Sequence, residues 1–217
     1  MQYQTIRQKG RKNITIQITS DARVLVKAPP YTAEQAIKNA VISKADWIAK
    51  NLSKVKNRVK LPSLEEGSSL YFAGVTYTVR YHDGKKAYAI GEVLYLPKNN
   101  LNKQLEKFVK QKFEEYVKPL TNQYASAYGF TYTAVKVGSA RSRWACCTGD
   151  NQIIYSYSMA FIPHVLCVYV VCHELCHTVH KNHGKLYYGE LCKIVPNYKT
   201  LRQELKKYSG FCSFLRQ

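Results

Sequence analysis

His173-Glu174-Leu175-Cys176-His177, preceded by the apolar run Val165 to Cys172 and followed six residues later by His183, is the stretch on which the reading of this chain turns. The run before the motif is apolar on nearly every face, so the spacing predicts a buried helix after Pro163 whose histidines line the floor of a cleft. Residues four apart share one helix face, and His173 and His177 can therefore present two imidazole nitrogens to one metal ion. Glu174 then stands beside that ion as a general base. A catalytic zinc site takes three protein ligands and keeps a position open for water, so a third ligand is required.

His183 fits the third place by its spacing from His177, as in patterns where the chain leaves the helix and brings a last histidine back. His180 stands where such patterns have a turn glycine, which moves the expected helix stop to Lys181-Asn182-His183-Gly184. Two alternatives stay open on spacing alone: His180, if the helix continues, and Glu190, a carboxylate from a following helix. Cys172 and Cys176 flank the histidines and read as small buried apolar residues, with metal capture as the rival reading. His82 and His164 have no partner spacing and read as structural or surface residues.

The 217 residues, 46% hydrophobic and 22% charged, are enough for one or two packed domains. The longest apolar run is too short to cross a bilayer, and the first residues do not have the charged-then-apolar pattern of a secretion signal. Seven cysteines, an odd number, argue for reduced thiols, so a cytoplasmic protein with no membrane partner is expected. The net charge of +19 is uneven, because residues 1–60 hold 13 Lys or Arg against 3 Asp or Glu. Arg7, Lys9, Arg11 and Lys12 open that segment, which makes nucleic acid or another polyanion a candidate partner.

Alternation of Ile14, Ile16 and Ile18 with polar residues, a turn at Ser20-Asp21 and then Val24-Leu25-Val26 predict a small antiparallel sheet. Thr32 and Gln35 read as a capping box for one helix through about Leu52. Beyond the linker at Leu61-Pro62-Ser63, strands are expected over Leu70 to Tyr81, Ala87 to Ile90 and Val93 to Leu96. Leu105, Phe108, Val109, Phe113, Tyr116 and Val117 recur at helical spacing, predicting a long helix from about Asn102 to Tyr128, bent near Pro119 and stopped by Gly129. Strands at Thr131 to Val137 and Gln152 to Tyr157 and two closing helices separated by Pro196 complete the reading.

Five segments run through and around the histidine motif: Arg143-Trp144-Ala145-Cys146-Cys147-Thr148, Ile153-Ile154, Val170-Val171-Cys172-His173-Glu174-Leu175-Cys176-His177, Asn182-His183-Gly184-Lys185-Leu186-Tyr187-Tyr188 and Pro196-Asn197-Tyr198. Together they resemble those of the YgjP-like metallopeptidase family, small intracellular zincins related in outline to the SprT-like and WLM groups. Arg11-Lys12, Val24 to Pro29 and Trp47-Ile48 resemble that family's opening strands and helix, so the resemblance covers essentially the whole chain. It implies zinc on His173, His177 and His183 with Glu174 as the catalytic carboxylate. Ala145, Cys146, Ser156 and the pair Tyr187-Tyr188 depart from the family's usual residues in the supporting motifs.

The expected fold is α+β: a basic, antiparallel β-rich region with one helix over residues 1–98, and a minimal zincin-like helical and β catalytic domain over residues 99–217. The expected activity is hydrolysis of a polypeptide substrate with one Zn²⁺ per chain, with Tyr155, His180, Tyr187 or Arg143 as the second oxyanion donor. Gln152 to Tyr155 is a candidate edge for pairing with an extended peptide. Two rival readings are a metal-dependent hydrolase of nucleotide phosphoanhydrides, which no Gly-rich phosphate loop supports, and a nucleic-acid-binding protein that uses the basic N-terminal region.

Overall fold

The computed structural model describes residues 2–19, 21–140 and 142–216, and divides into two compact units, Met1–Arg58 and Val59–Gln217. Ser20 of the expected turn lies outside the described residues. The α+β class holds in both units, the first joining one small sheet to helices and the second two.

In the first unit β1 (Gln4–Arg7), β2 (Thr15–Ile18) and β3 (Val24–Ala28) form a sheet in the order β1-β3-β2. Only β2 pairs antiparallel with β3; β1 runs parallel to it, so the sheet is mixed rather than purely antiparallel. The chain crosses from one edge to the other after β1, which leaves β3 central. There the alternate residues Val24, Val26 and Ala28 are buried with Ile37, Val41 and Ile48 of the helices. Instead of one helix there are two, α1 (Glu34–Ser43) and α2 (Ala45–Lys56). The break at Lys44 has a local cause: Ser43 Oγ donates back to the Ala40 carbonyl at 3.0 Å, and the Lys44 N–H reaches Val41 rather than a residue four back. The capping box also fails. The cap position falls on Ala33, while the Thr32 carbonyl is taken by Arg7, which also bonds the Pro30 carbonyl and Glu34 Oε1 (2.6 Å).

The second unit opens with β4 (Ser69–Phe72), β5 (Val75–His82), β6 (Tyr88–Ile90) and β7 (Val93–Pro97), ordered β4-β5-β7-β6. The β4–β5 hairpin turns on Ala73 and Gly74, both with positive φ (47° and 92°), which matches the twist of the strands it joins. The long helix α3 (Leu101–Tyr128) buries Leu105, Val109, Phe113, Val117, Thr121 and Ala125 at a period of four, with Leu120 beside them, and ends at Gly129 in the left-handed conformation. Leu70, Phe72, Val79, Leu94 and Leu96 of the sheet share one core with that stripe. The strands that the sequence reading groups with residues 1–98 therefore find their apolar cover on α3.

A second sheet of β8 (Ala134–Gly138), β9 (Ala145–Cys147) and β10 (Gln152–Ser156) has the order β8-β10-β9. β10 is central, with Ile153 and Tyr155 wholly buried, so the expectation that Gln152 to Tyr155 is an edge does not hold. The edge beside the next helix is β9, too short to be recognised from its sequence. That helix, α4 (His164–Val179), packs against α3, β9, α5 (Lys185–Ile194) and α6 (Tyr198–Lys207). Contact on so many sides explains its apolar residues all round. All seven cysteines are free thiols.

Candidate active site

His173 and His177 occupy successive turns near the C-terminal end of α4. The helix stops at Val179, earlier than the expected tetrapeptide, because His180 takes an extended conformation (φ −119°, ψ 98°). Its carbonyl accepts a hydrogen bond from His177 Nδ1 at 3.0 Å. The chain then turns through Lys181 and Asn182 and returns His183 to the helix. His183 Nε2 lies 3.0 Å from His177 Nε2 and 3.2 Å from His173 Nε2. Lys181 anchors the turn: its Nζ donates to the Thr148 carbonyl at 2.9 Å and to Asn151 Oδ1, in the connection between β9 and β10.

Tyr187, in the first turn of α5, is fully buried beneath the three rings, 4.6 Å from His177 and 4.7 Å from His183 between centroids. Its hydroxyl donates to the His173 carbonyl at 3.2 Å and lies 2.5 Å from His173 Nδ1. One of these contacts fixes a tautomer: a carbonyl can only accept, so His177 carries its proton on Nδ1 and turns its Nε2 lone pair toward the His183 ring. The Tyr187 hydroxyl, placed between the carbonyl and Nδ1 of His173, holds that ring with its Nε2 toward His183. Burial, with the charges of the neighbouring rings, pushes the His173 pKa down to about 3, and burial lowers that of His177, which keeps both rings neutral and able to ligate.

Glu174 lies on the buried side of the same turn with 5% of its surface exposed, and its Oε2 has no hydrogen-bond partner among the described residues. Burial raises its pKa to about 7, against the backbone N–H of Cys147 on β9 and the charge of Arg143, which both favour the ionised form. A buried carboxyl with one free oxygen, ionising near neutrality, has the properties of a proton carrier.

The other candidates separate clearly. Glu190 is paired with Lys193 at 3.0 Å, and among the described residues the His173, His177 and His183 cluster includes neither it nor His180. Cys172 and Cys176 are fully buried, and burial holds both thiols near pKa 12. His164 meets the Tyr116 hydroxyl at 2.5 Å and His82 the Lys86 carbonyl at 3.0 Å, both structural contacts. Tyr155 is enclosed in the core beside Thr121 Oγ1 at 3.2 Å, and Tyr187 is engaged by His173, so of the four expected oxyanion donors only His180 and Arg143 stay as candidates. Of the cations at the start of the chain, Arg7 and Arg11 are committed to internal hydrogen bonds, Arg11 to Gln8 and Thr15. Sequence reasoning missed the tie from Lys181 and the contact between β9 and Glu174; both join segments some thirty residues apart and leave no local signal.

The family model for the YgjP-like metallopeptidase domain matches residues 12–208, most of both units. This chain belongs to that family. Its membership puts the YgjP-like chain among the metallopeptidases, and its three-histidine cluster is an arrangement able to hold a metal ion. The crystal structure of the metallopeptidase zymogen of Pyrococcus abyssi abylysin is similar over 41% of this chain and 90% of that one, at 17% identity and a TM-score of 0.39. No curated protein matches. Among the described residues, no helix of the YgjP-like chain is long and apolar enough to cross a membrane.

Proposed function

We propose that this YgjP-like protein is a zinc peptidase, with His173, His177 and His183 as ligands to one ion and Glu174 as the general base. The observation that carries this reading is the convergence of three Nε2 atoms at 3.0 and 3.2 Å, with the His177 lone pair fixed by the carbonyl at its Nδ1 and the His173 ring held by Tyr187. Ligand nitrogens about 2.0–2.1 Å from a tetrahedral zinc lie ~3.3 Å apart, close to this spacing. Three neutral imidazoles suit zinc well, and in this position the ion would supply Lewis acidity toward a carbonyl and a lowered pKa for water.

The remaining steps belong to the chain. Glu174, free at Oε2 and poised near neutrality, takes a proton from the attacking water and returns it to the leaving amine. Arg143, whose charge reaches Glu174, or His180 donates to the oxyanion. An extended peptide lies along the free side of β9, the edge strand beside α4, so that main-chain hydrogen bonds hold the scissile bond near Glu174.

The purified protein is expected to contain about one zinc per chain and to cleave an unstructured protein such as casein. A chelator should abolish cleavage and added zinc restore it. Full cleavage by chelated protein would remove the metal from the mechanism, and zinc-loaded protein inert on every polypeptide would remove the peptidase.

Tyr187→Phe tests the support beneath the ligands. Losing the hydroxyl leaves His173 Nδ1 without its partner while the ring still fills the core. Zinc affinity, measured by competition with a chromophoric chelator, is expected to fall about 10–100-fold, with little change in the thermal midpoint of the metal-free protein. Unchanged affinity would mean that the hydroxyl does not orient His173.

A further inference from the structure

α6 carries Lys199, Arg202 and Lys206 at spacings of three and four, which puts the three cations in one stripe. With Gln203 and the rings of Tyr188 and Tyr198 they line a depression of about 490 Å³. Among the described residues none of the three cations has an ion-pair partner, although Lys193 and Lys207 nearby are paired with Glu190 and Glu204. Like charges left together without acids repel, and an anion placed among them relieves that repulsion.

The depression adjoins the histidine cluster through Tyr188, which lines it and contacts His183. The Tyr188 ring stacks on Tyr198 (5.6 Å, 21°) on one side and on His183 (6.0 Å, 26°) on the other. Arg202 Nη1 reaches the Tyr188 hydroxyl at 3.5 Å. A chain held at the three histidines therefore has a cationic, aromatic-walled recess beside it. Arg202 has the planar fork that matches a carboxylate, and the stacked tyrosines offer flat apolar surface to the methylenes that carry it.

We propose that this recess is a carboxylate subsite of the peptidase, in which Arg202, assisted by Lys199 and Lys206, selects peptides bearing an acidic side chain or a free chain end beside the scissile bond. The inference rests on the peptidase reading, but binding can be measured apart from turnover. The test uses zinc-loaded Glu174→Gln protein and three fluorescent hexapeptides: one with a glutamate and an amidated end, one with glutamine in its place, and the glutamine peptide with a free C-terminal carboxylate.

At low salt one or both acidic peptides are expected to bind roughly tenfold more tightly than the neutral one, a preference that weakens as salt rises and shrinks below about twofold when Arg202→Ala is added. Whichever acidic peptide gains shows whether the recess takes a side chain or a chain end. Equal binding of all three, binding of none, or a preference that survives Arg202→Ala would overturn the subsite. Arg202 is exposed, so its loss should not unfold the protein. Cleavage of the same peptides by wild type separates the two readings: an Arg202-dependent preference without cleavage keeps the recess and removes the peptidase, whereas cleavage without any preference does the reverse.

Discussion

Glu174→Gln is expected to hold one zinc per chain and to lose about 10²–10⁴ of kcat, the share a positioned general base supplies. The substitution keeps the shape of the side chain and leaves His173, His177 and His183 untouched. What it removes is the ability to hold a proton at an oxygen that, in the native chain, is buried without a partner. The amide escapes the charge-burial penalty that raises the carboxyl to about 7 but puts its N–H donors where Oε2 has no partner, so the variant should melt close to wild type. The pH dependence has a definite sign. Burial lifts the pKa to about 7 against the Cys147 N–H and the Arg143 charge, and a bound cation would lower it further, so kcat/KM of the loaded wild type should fall on acidification with an apparent pKa at or below 7. Metal content by mass spectrometry and turnover on one peptide decide the matter: a loaded Glu174→Gln protein with wild-type kcat would sink the assignment of the base.

The parts of this fold that were legible from sequence are those set by one element alone. The period-four stripe of α3 from Leu105 to Ala125, its glycine stop, and an α4 apolar all round after Pro163 each follow from local pattern and burial. What stayed hidden depends on partners distant in sequence. Three residues, Ala145 to Cys147, are too few to show a period, so β9 exists only because β10 pairs with it, and its presence is what makes β10 central. The first helix divides at Lys44 because Ser43 bonds backwards, an outcome that propensity along the apolar face does not reveal. The cluster was legible for the same reason as α3, since helical spacing alone puts His173 and His177 on one face. Its support was not, because an aromatic at position 187 reads simply as core, and the structure shows it to be core with its hydroxyl spent on His173.

The return of the chain at His183 supplies the second large effect. His183→Ala should lower zinc affinity by ~10²–10³-fold, since about 10–16 kcal/mol for a four-ligand site is roughly 3–4 kcal/mol per ligand. His180→Ala serves as its control. The His180 ring lies outside the cluster and its contribution to His177 comes from a backbone carbonyl that alanine retains, so that variant should load zinc as wild type does. His183 is exposed, and its removal leaves the core of the second unit intact, so the metal-free variant should melt close to metal-free wild type. Only the upward shift of the melting midpoint on adding zinc should vanish, because an ion that binds the folded state more weakly stabilises it less at the same concentration. Zinc competition and thermal melts of the three proteins, with and without metal, read both quantities. If the shift disappeared in His180→Ala and survived in His183→Ala, the third ligand would belong to the helix end rather than to the returning turn, and the tie from Lys181 to Thr148 and Asn151 would hold a loop with no part in binding metal.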